Sequence, residues 1–566
     1  MDSFSQVPSE IQQMVITFLS KNDCSVCVLV CRSWSTVFTP PIWKTIKVLC
    51  QPTFSASQRF YRLKKCIEAN DGVLLQKYGH HVRELDTSYL SIVDTIVRND
   101  PGQTCSQLRK LAVHSRSDPR VPPSHRVKQQ TRSPQFPIRG SVGEVSSIQP
   151  LKSAIAALLR YNQDLRILSL HRQAAQPDKT EDNRPIEPSW MSVLPVNLVS
   201  LSLDTPFFEV YQPLISTPSL SSQGSLPSPR MLVNLQKLII QGPYINGSIR
   251  LDLLRRCPNL EVLRLYIREN PLDRCSVLAD VLYEYCPQLT AARFDGQTCD
   301  ENLSFLIGAS AGGWKSFVLD GTYGSLFGRL SAKALLAHAA TLENVRLEGC
   351  TAFTSTDIQQ LFCSAPKLKR FHGISIDRLD EKDLALRADE LVQSKWVCAS
   401  LESFACKITH VPRPDLTRRT NGRALIGTMH TTGTIEASYQ LQGRVYEQLS
   451  RLTKLGHLVL GGDIGEYDDK TPEWAEKERG VEGEFFDPKL LQAGYQYQCL
   501  SMTLESGMDQ LKGLKEMRAV VVEGMAVGLS NPAELDWQKE HWPLLESGQL
   551  FRHGYFSDPF WSLFLE

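Results

Sequence analysis

The sequence predicts an α/β chain in which a short helical module precedes a long, curved array of parallel strands joined by return helices. Apolar residues recur at helical spacing through the first 43 residues, ahead of a Pro-Pro step. Beyond them one short pattern, apolar, two others, apolar, one other, apolar, returns at a period in the twenties. At 566 residues the chain exceeds one ordinary compact core, so several domains or a repeat array are expected.

The helical module comes first. Pro8 suits the first turn of a helix, where its missing N–H costs nothing, and Glu10 complements the positive end of the helix dipole. Ile11, Met14, Val15, Phe18 and Leu19 follow at helical spacing, and Asn22 and Asp23 stop one helix and restart another. Val26, Cys27, Val30 and Trp34 mark a second apolar stripe that ends before Pro40-Pro41. A unit this small buries little surface by itself and needs a partner.

The order Val7-Pro8-Ser9-Glu10-Ile11, Asp23, Cys27, Val30-Cys31-Arg32-Ser33-Trp34 and Ile42-Trp43 resembles the F-box. Val7 stands where that family usually has Leu before the proline, and Cys24 where it has Leu after the aspartate; both remain apolar. The resemblance implies docking on a Skp-type adaptor and, through it, a cullin-RING ubiquitin ligase. It assigns adaptor binding to Val7, Pro8, Ile11, Val15, Leu19, Val30, Trp34 and Trp43, with Trp34 the first candidate for the module's own core. Because the motif is complete at Trp43, residues 1–48 are expected to form the F-box and to suffice for adaptor binding.

A helical connector is expected over 49–79 and the repeat array over 80–530. Clear copies are Leu108/Leu111/Val113, Leu165/Leu168/Leu170, Leu198/Leu201/Leu203, Leu235/Leu238/Ile240, Leu260/Leu263/Leu265, Leu342/Val345/Leu347 and Leu455/Leu458/Leu460. Degraded copies start at Val82, Leu289, Trp314, Leu368, Leu401 and Leu514. From Leu235 to Leu368 the starts lie 25, 29, 25, 28 and 26 residues apart, the spacing of a leucine-rich solenoid. The second half of each copy alternates as a strand, and 252–256, 277–285, 332–340 and 357–362 read as return segments, several stopped by Pro258, Pro287 and Pro366. With the N-terminal motif, this period resembles the F-box leucine-rich-repeat proteins of fungi and animals. The copies depart from that family's regular Asn or Cys after the strand, present only in 342–350, so an irregular horseshoe is expected.

Three stretches interrupt the period: a basic, Pro- and Ser-rich one at about 115–149, a Pro-rich one at about 205–230, and 463–487 with ten acids, three bases and interleaved aromatics. All read as surface loops. The last segment, 531–566, is crowded with aromatics from Trp537 to Phe564 and reads as a cap on the array's open end.

Composition narrows function. Lys and Arg number 62 against 61 Asp and Glu, which gives no global attraction to nucleic acid or acidic membranes. No apolar run is long enough to span a bilayer, and 15 dispersed cysteines fit reduced thiols, so a cytoplasmic or nuclear location is expected. Gly308-Ala309-Ser310-Ala311-Gly312 matches a serine-hydrolase elbow, but it leads into the next repeat strand rather than a helix. Cys24-x-x-Cys27 with Cys31 lacks a second ligand pair for zinc and falls on the apolar helical pattern. No cofactor, metal or catalytic residue is assigned.

Recognition is expected on the concave strand face, where the residue between the second and third apolar positions points away from the core. Successive copies place Arg264, Arg293, Arg346 and His372 there, a row suited to an acidic or phosphorylated protein target. Asp295 and Glu348, two positions on, offer the competing arrangement of a self-neutralised ladder. The reading is therefore a non-catalytic substrate receptor of a Skp-cullin-F-box ubiquitin ligase with an unknown protein target. The alternative is a scaffold of the same build acting outside ubiquitylation.

Overall fold

The computed structural model describes residues 4, 6–49, 64–65, 67, 72–99, 104–115, 149–172, 193–204, 230–241, 247–267, 275–296, 298–320, 327–350, 352–374, 384–412, 434–460, 500–521 and 532–545. The interrupting stretches expected at 115–149, 205–230 and 463–487, and the aromatic residues after 545, lie almost wholly outside these. The chain divides into two units, Met1–Leu260 and Glu261–Glu566.

The first unit opens with three helices, α1 (Ser9–Phe18), α2 (Lys21–Cys27) and α3 (Arg32–Trp43). Six parallel strands follow in chain order, β1 (Thr45–Val48), β2 (Glu84–Thr87), β3 (Lys110–Ser115), β4 (Ile167–Arg172), β5 (Ser200–Asp204) and β6 (Lys237–Gln241), each hydrogen-bonded to the next. Helices Val73–Tyr78, Leu90–Arg98, Gln149–Tyr161 and Gly247–Arg255 alternate with them.

The second unit repeats the plan. Parallel strands β7 (Val262–Ile267), β8 (Ala291–Gly296), β9 (Ser316–Asp320), β10 (Asn344–Glu348) and β11 (Arg370–His372) lie side by side, separated in sequence by helices Cys275–Tyr285, Asp300–Ile307, Arg329–Leu336 and Ser355–Ser364. Between the later strands a small two-stranded sheet intervenes, β12 (Ala385–Arg387) with β14 (Lys407–Thr409), so that β11 pairs β13 (Ser403–Ala405), then β15 (His457–Val459) and β16 (Ala519–Val521). Both units thus have an alternating α/β repeat architecture built on a large parallel sheet.

The registers fix the repeat frame. Leu108, Leu165, Leu198 and Leu235 in the first unit, and Leu260 before the second, are buried at equivalent positions, as are their second and third partners. At the entries of β2 to β6, β8 to β11, β13, β15 and β16 two successive N–H groups converge on one carbonyl of the preceding repeat, as Gln236 and Lys237 do on Val199 and Lys315 and Ser316 on Thr290. The arrangement satisfies the backbone where the chain turns from helix to strand. Gly296 ends β8 with φ +105°, and a Cβ there would lie 2.1 Å from the Ile267 carbonyl, so the strand end admits only glycine.

Two frames differ from the sequence reading. Strand β1 precedes the array's expected start near residue 80: Thr45 pairs with Glu84, which makes Trp43, Ile46 and Val48 a further copy of the pattern. At the far end, His457 pairs with Ala519, so Met517 and Val520, not Leu514, take the first two apolar positions. Leu514 and Met517 are both buried and three residues apart, which is why the sequence alone set the frame one turn early.

An unforeseen polar ladder stabilises the first unit. The residue before the first apolar position is Asn197, Asn234 and Asn259 in successive copies, and their amides donate to the carbonyls of Gln163 (3.4 Å), Val196 (3.3 Å) and Val233 (2.8 Å). The triplets Val196-Asn197-Leu198, Val233-Asn234-Leu235 and Pro258-Asn259-Leu260 carry this signal directly before the first apolar position, whereas the family's Asn or Cys is expected after the strand.

In the second unit Asp300 links neighbouring repeats. Its carboxylate accepts from the backbone N–H of Gly328 (2.8 Å), Leu330 (3.0 Å) and Ser331 (2.9 Å), capping the next helix. Burial pushes its pKa up, but the Ser331 hydroxyl and these three N–H groups outweigh that and leave it lowered. Asp300→Ala should cost about 1–2 kcal/mol of stability, as loss of an N-cap does. Because the folded pKa is the lower one, the difference from wild type is full above about pH 4 and shrinks as pH falls through the folded pKa. Urea melts at neutral and acidic pH measure it; an unchanged midpoint at neutral pH would remove Asp300 from the cap.

In the described part of the last segment, Trp542 is buried and its indole N–H donates to the Leu511 carbonyl at 3.2 Å, beside Trp537 at 5.2 Å.

Candidate functional site

Two surfaces hold the residues singled out by the sequence. The first is the helical module. Helix α2 starts with a reciprocal cap, in which the Ser20 hydroxyl accepts from Asp23 N–H and the Asp23 carboxylate accepts from Ser20 N–H (3.0 Å) and hydroxyl (2.7 Å). These bonds from Ser20 lower the Asp23 pKa. Phe4 packs on Trp34 (ring centroids 5.1 Å) and Phe38 (5.4 Å), and the Gln12 amide ties α1 to the Phe4 and Val7 carbonyls. Trp34 is thus half-buried against these two rings.

Little else is buried. Helix α1 has no buried residue, α2 only Cys24 and α3 only Phe38. The apolar stripe of α1 is split instead: Val15 and Leu19 are half-buried, whereas Ile11, Met14 and Phe18 are exposed, Phe18 by 83%. Val26, Leu29 and Val30 on and after α2 are also exposed, Leu29 by 84%. Of the sequence-assigned set, Val7 is half-buried, Pro8 exposed, and Trp43 stacks on Tyr78 at 5.1 Å. Met14, Phe18, Val26 and Leu29 were missed as surface groups, because helical spacing marks an apolar face without saying whether it meets the protein's own core.

The module is joined to the strands without a break. Lys44 alone separates α3 from β1, its carbonyl accepts from Arg83 and Glu84 N–H, and the Lys21 ammonium donates to the Thr45 carbonyl at 2.6 Å.

The second surface is the outward strand face of the second unit. The register sets Arg264 beside Arg293, then Val318, Arg346 and His372. Asp295 bridges the first two, one carboxylate oxygen 2.6 Å from Arg264 Nε and the other 2.7 Å from Arg293 Nε. The ladder anticipated within one strand thus extends across two. The side chain of Glu348 lies outside the described residues. His372 is buried, with Nε2 2.8 Å from the Ser403 hydroxyl.

Burial first, and then Arg346, Arg370 and His457, hold the His372 pKa well below its ordinary value. A base with a depressed folded pKa is neutral in the fold and protonates more readily when unfolded. Its contribution to stability is therefore lost as pH falls below about 6.5, with a slope of up to about 1.4 kcal/mol per pH unit. Denaturant midpoints from about pH 7 to about pH 5 should fall more steeply for wild type than for His372→Gln. Parallel profiles would clear the imidazole of any part in the acid sensitivity.

A histidine row in the first unit was not foreseen. His114 Nε2 lies 3.1 Å from the Asp86 carboxylate, its ring stacks on His171 at 5.1 Å, and His171 Nε2 lies 3.4 Å from the Ser202 hydroxyl. Only strand register brings these residues together.

Ser310 is buried, and its hydroxyl donates to the Leu289 carbonyl at 2.9 Å, a turn-closing role that leaves no nucleophile presented. Among the described residues no group of three His, Cys, Asp or Glu side chains is placed to hold a metal ion, and no helix is long and apolar enough to cross a membrane.

Residues 4–48 match the F-box-like family model. No curated protein matches the sequence. Among solved structures, the chain is similar to a chain of the crystal structure of the Rad7 and Elc1 complex in yeast, at 14% identity over 59% of this chain and 73% of that chain, with a TM-score of 0.32. The match over residues 4–48 coincides with the three helices and β1, and this chain carries an N-terminal F-box-like domain.

Proposed function

We propose that this chain is the substrate-recognition subunit of a Skp-cullin-F-box ubiquitin ligase, holding a Skp-type adaptor through residues 4–48 and a target protein through leucine-rich-type repeats. The observation that carries the proposal is an F-box-like module that buries almost none of its own apolar side chains and turns Ile11, Met14, Phe18, Val26, Leu29 and Val30 outward. Apolar groups gathered on a module this small are stabilised by a partner surface. Val7, Pro8, Val15 and Leu19 border that face, and Trp34 and Trp43 hold the module together from within.

In this reading the chain performs no chemistry. It supplies proximity and orientation, and the ubiquitin-transferring step belongs to a partner enzyme in the cytoplasm or nucleus. Affinity purification of the full chain tests it: recovery of a Skp-type adaptor together with a cullin supports the receptor, adaptor without cullin supports a scaffold outside ubiquitylation, and recovery of neither removes the adaptor assignment.

A further inference from the structure

In the first unit the strand entries carry one sign of charge. The residue whose carbonyl receives the two N–H groups of the next strand is Lys44, then Arg83, Arg109 and Arg166, so four cations hold one position at the entries of β1 to β4. Strands lie ~4.8 Å apart, which sets the four in a line roughly 14 Å long. Lys44, Arg109 and Arg166 are exposed and Arg83 is half-buried. The same position in the second unit alternates in sign, through Lys315, Glu343, Lys369 and Glu402, and Lys369 pairs with Glu343 at 2.8 Å.

Among the described residues nothing neutralises the first row. Lys44, Arg109 and Arg166 make no side-chain hydrogen bond or ion pair there, and Arg83 donates only to its own turn, to the carbonyls of His80 (2.7 Å) and Val82 (3.4 Å). Arg109 and Arg166 thus each keep the five N–H donors of a guanidinium. The neighbouring acids are engaged elsewhere: Glu84 accepts from the Thr45 hydroxyl at 3.3 Å and Asp164 from the Asn197 amide at 3.4 Å. Burial, and then the adjacent Arg109, lower the Arg83 pKa, as like charges on neighbouring strands do.

A line of single charges selects its partner. One phosphate group would draw the guanidiniums to a point, whereas cations spread one per strand meet carboxylates distributed along an extended polypeptide, whose residues rise by about 3.3 Å. A nucleic-acid duplex is wider than one row and would also cover Glu84 and Asp164, and the chain as a whole has 62 bases against 61 acids. The row starts at Lys44, the residue that joins α3 to β1, so a segment held there lies next to the F-box-like module.

We propose that the Lys44, Arg83, Arg109 and Arg166 row seats a segment of the target protein rich in Asp and Glu, lying across the strand entries of the first unit. This rests on the receptor reading given above.

The test uses the full chain and three fluorescent peptides of equal length: one with a run of glutamates, one with glutamines in their place, and one with a single phosphoserine among the glutamines. Anisotropy should show binding of the glutamate peptide, little of the phosphoserine peptide and none of the glutamine peptide. Binding should weaken as salt rises toward physiological strength, because exposed charges are screened over ~8 Å. Arg109→Glu with Arg166→Glu should weaken it at least about tenfold, since two attractions become repulsions, while adaptor recovery and circular dichroism stay unchanged. Lys315→Glu with Lys333→Glu, at exposed lysines of the second unit, makes the same change in net charge and should leave binding nearly intact. Should the reversal disturb the fold, Arg109→Gln with Arg166→Gln removes the charges alone and should still weaken binding severalfold. Equal binding by either folded variant, equal loss from the second-unit control, no preference over glutamine, or tighter binding of the phosphoserine peptide or of a DNA duplex would overturn the proposal. Loss of adaptor recovery by a folded reversal variant would give the row to the adaptor interface and overturn it equally. Absence of an adaptor from the wild-type purification, with the peptide results intact, would strike the receptor reading alone.

Discussion

Replacing Ile11, Met14 and Phe18 together by serine should abolish recovery of a Skp-type adaptor while leaving the thermal unfolding of the chain nearly unchanged. These side chains lie at i, i+3 and i+7 on α1 and are already in water in the free chain, so the fold gives up little when they are truncated. In a complex each buried apolar side chain is worth about 1.5–3 kcal/mol. Three such losses amount to at least about 4 kcal/mol, about a thousandfold in Kd. Phe38→Ser is the contrasting control: it removes a buried ring and should lower stability and adaptor recovery together. Adaptor recovery by the folded triple variant at wild-type level would remove this face from the interface.

The repeat frame was readable because its signal is redundant. Apolar positions one, four and six of Leu108, Leu165, Leu198, Leu235, Leu260, Leu342 and Leu455 are all buried and in register, and a shift of one residue would have turned every one of them outward. The return helices were placed correctly in kind and differ only in extent; 252–256 becomes Gly247–Arg255, 357–362 becomes Ser355–Ser364, and 332–340 shifts to Arg329–Leu336. What the sequence could not supply depends on pairing at a distance. Strand β1 was hidden because Trp43 already belonged to the helical motif, and the β12 and β14 pair has three residues per strand, too few to show a period.

The candidate site divides in the same way. Spacing placed Arg264, Arg293, Arg346 and His372 on one row, which the register reproduces. Their state is a matter of neighbours: Asp295 joins two arginines from adjacent strands, and His372 is buried against Ser403, a residue far away in sequence. On α1 the apolar stripe was evident, but its division into Val15 and Leu19 on one side and Met14 and Phe18 on the other follows from where α3 and Phe4 sit.

Trp43→Ala should unfold the junction between the F-box-like module and the first strands, and weaken adaptor capture without touching the docking face. Trp43 occupies the first apolar position of the copy formed by Ile46 and Val48, and its ring stacks on Tyr78 beyond the module. Buried aromatic truncations cost about 3–5 kcal/mol, and a half-buried ring lies toward or below the lower end, about 2–3 kcal/mol. The loss falls on a small module whose helices bury only Cys24 and Phe38, so it cannot be absorbed locally. A fragment ending at residue 48 should behave like a more severe version of the same variant. It lacks Tyr78, and it lacks β2, whose Arg83 and Glu84 N–H groups hold the Lys44 carbonyl. On this account a fragment of residues 1–48 should show no cooperative thermal transition, and in the full-length Trp43→Ala protein amide exchange should accelerate in α3, β1 and β2 while β8 to β10 keep their protection. Exchange rates unchanged in α3 and β1 would show that the module folds independently of the strands it adjoins.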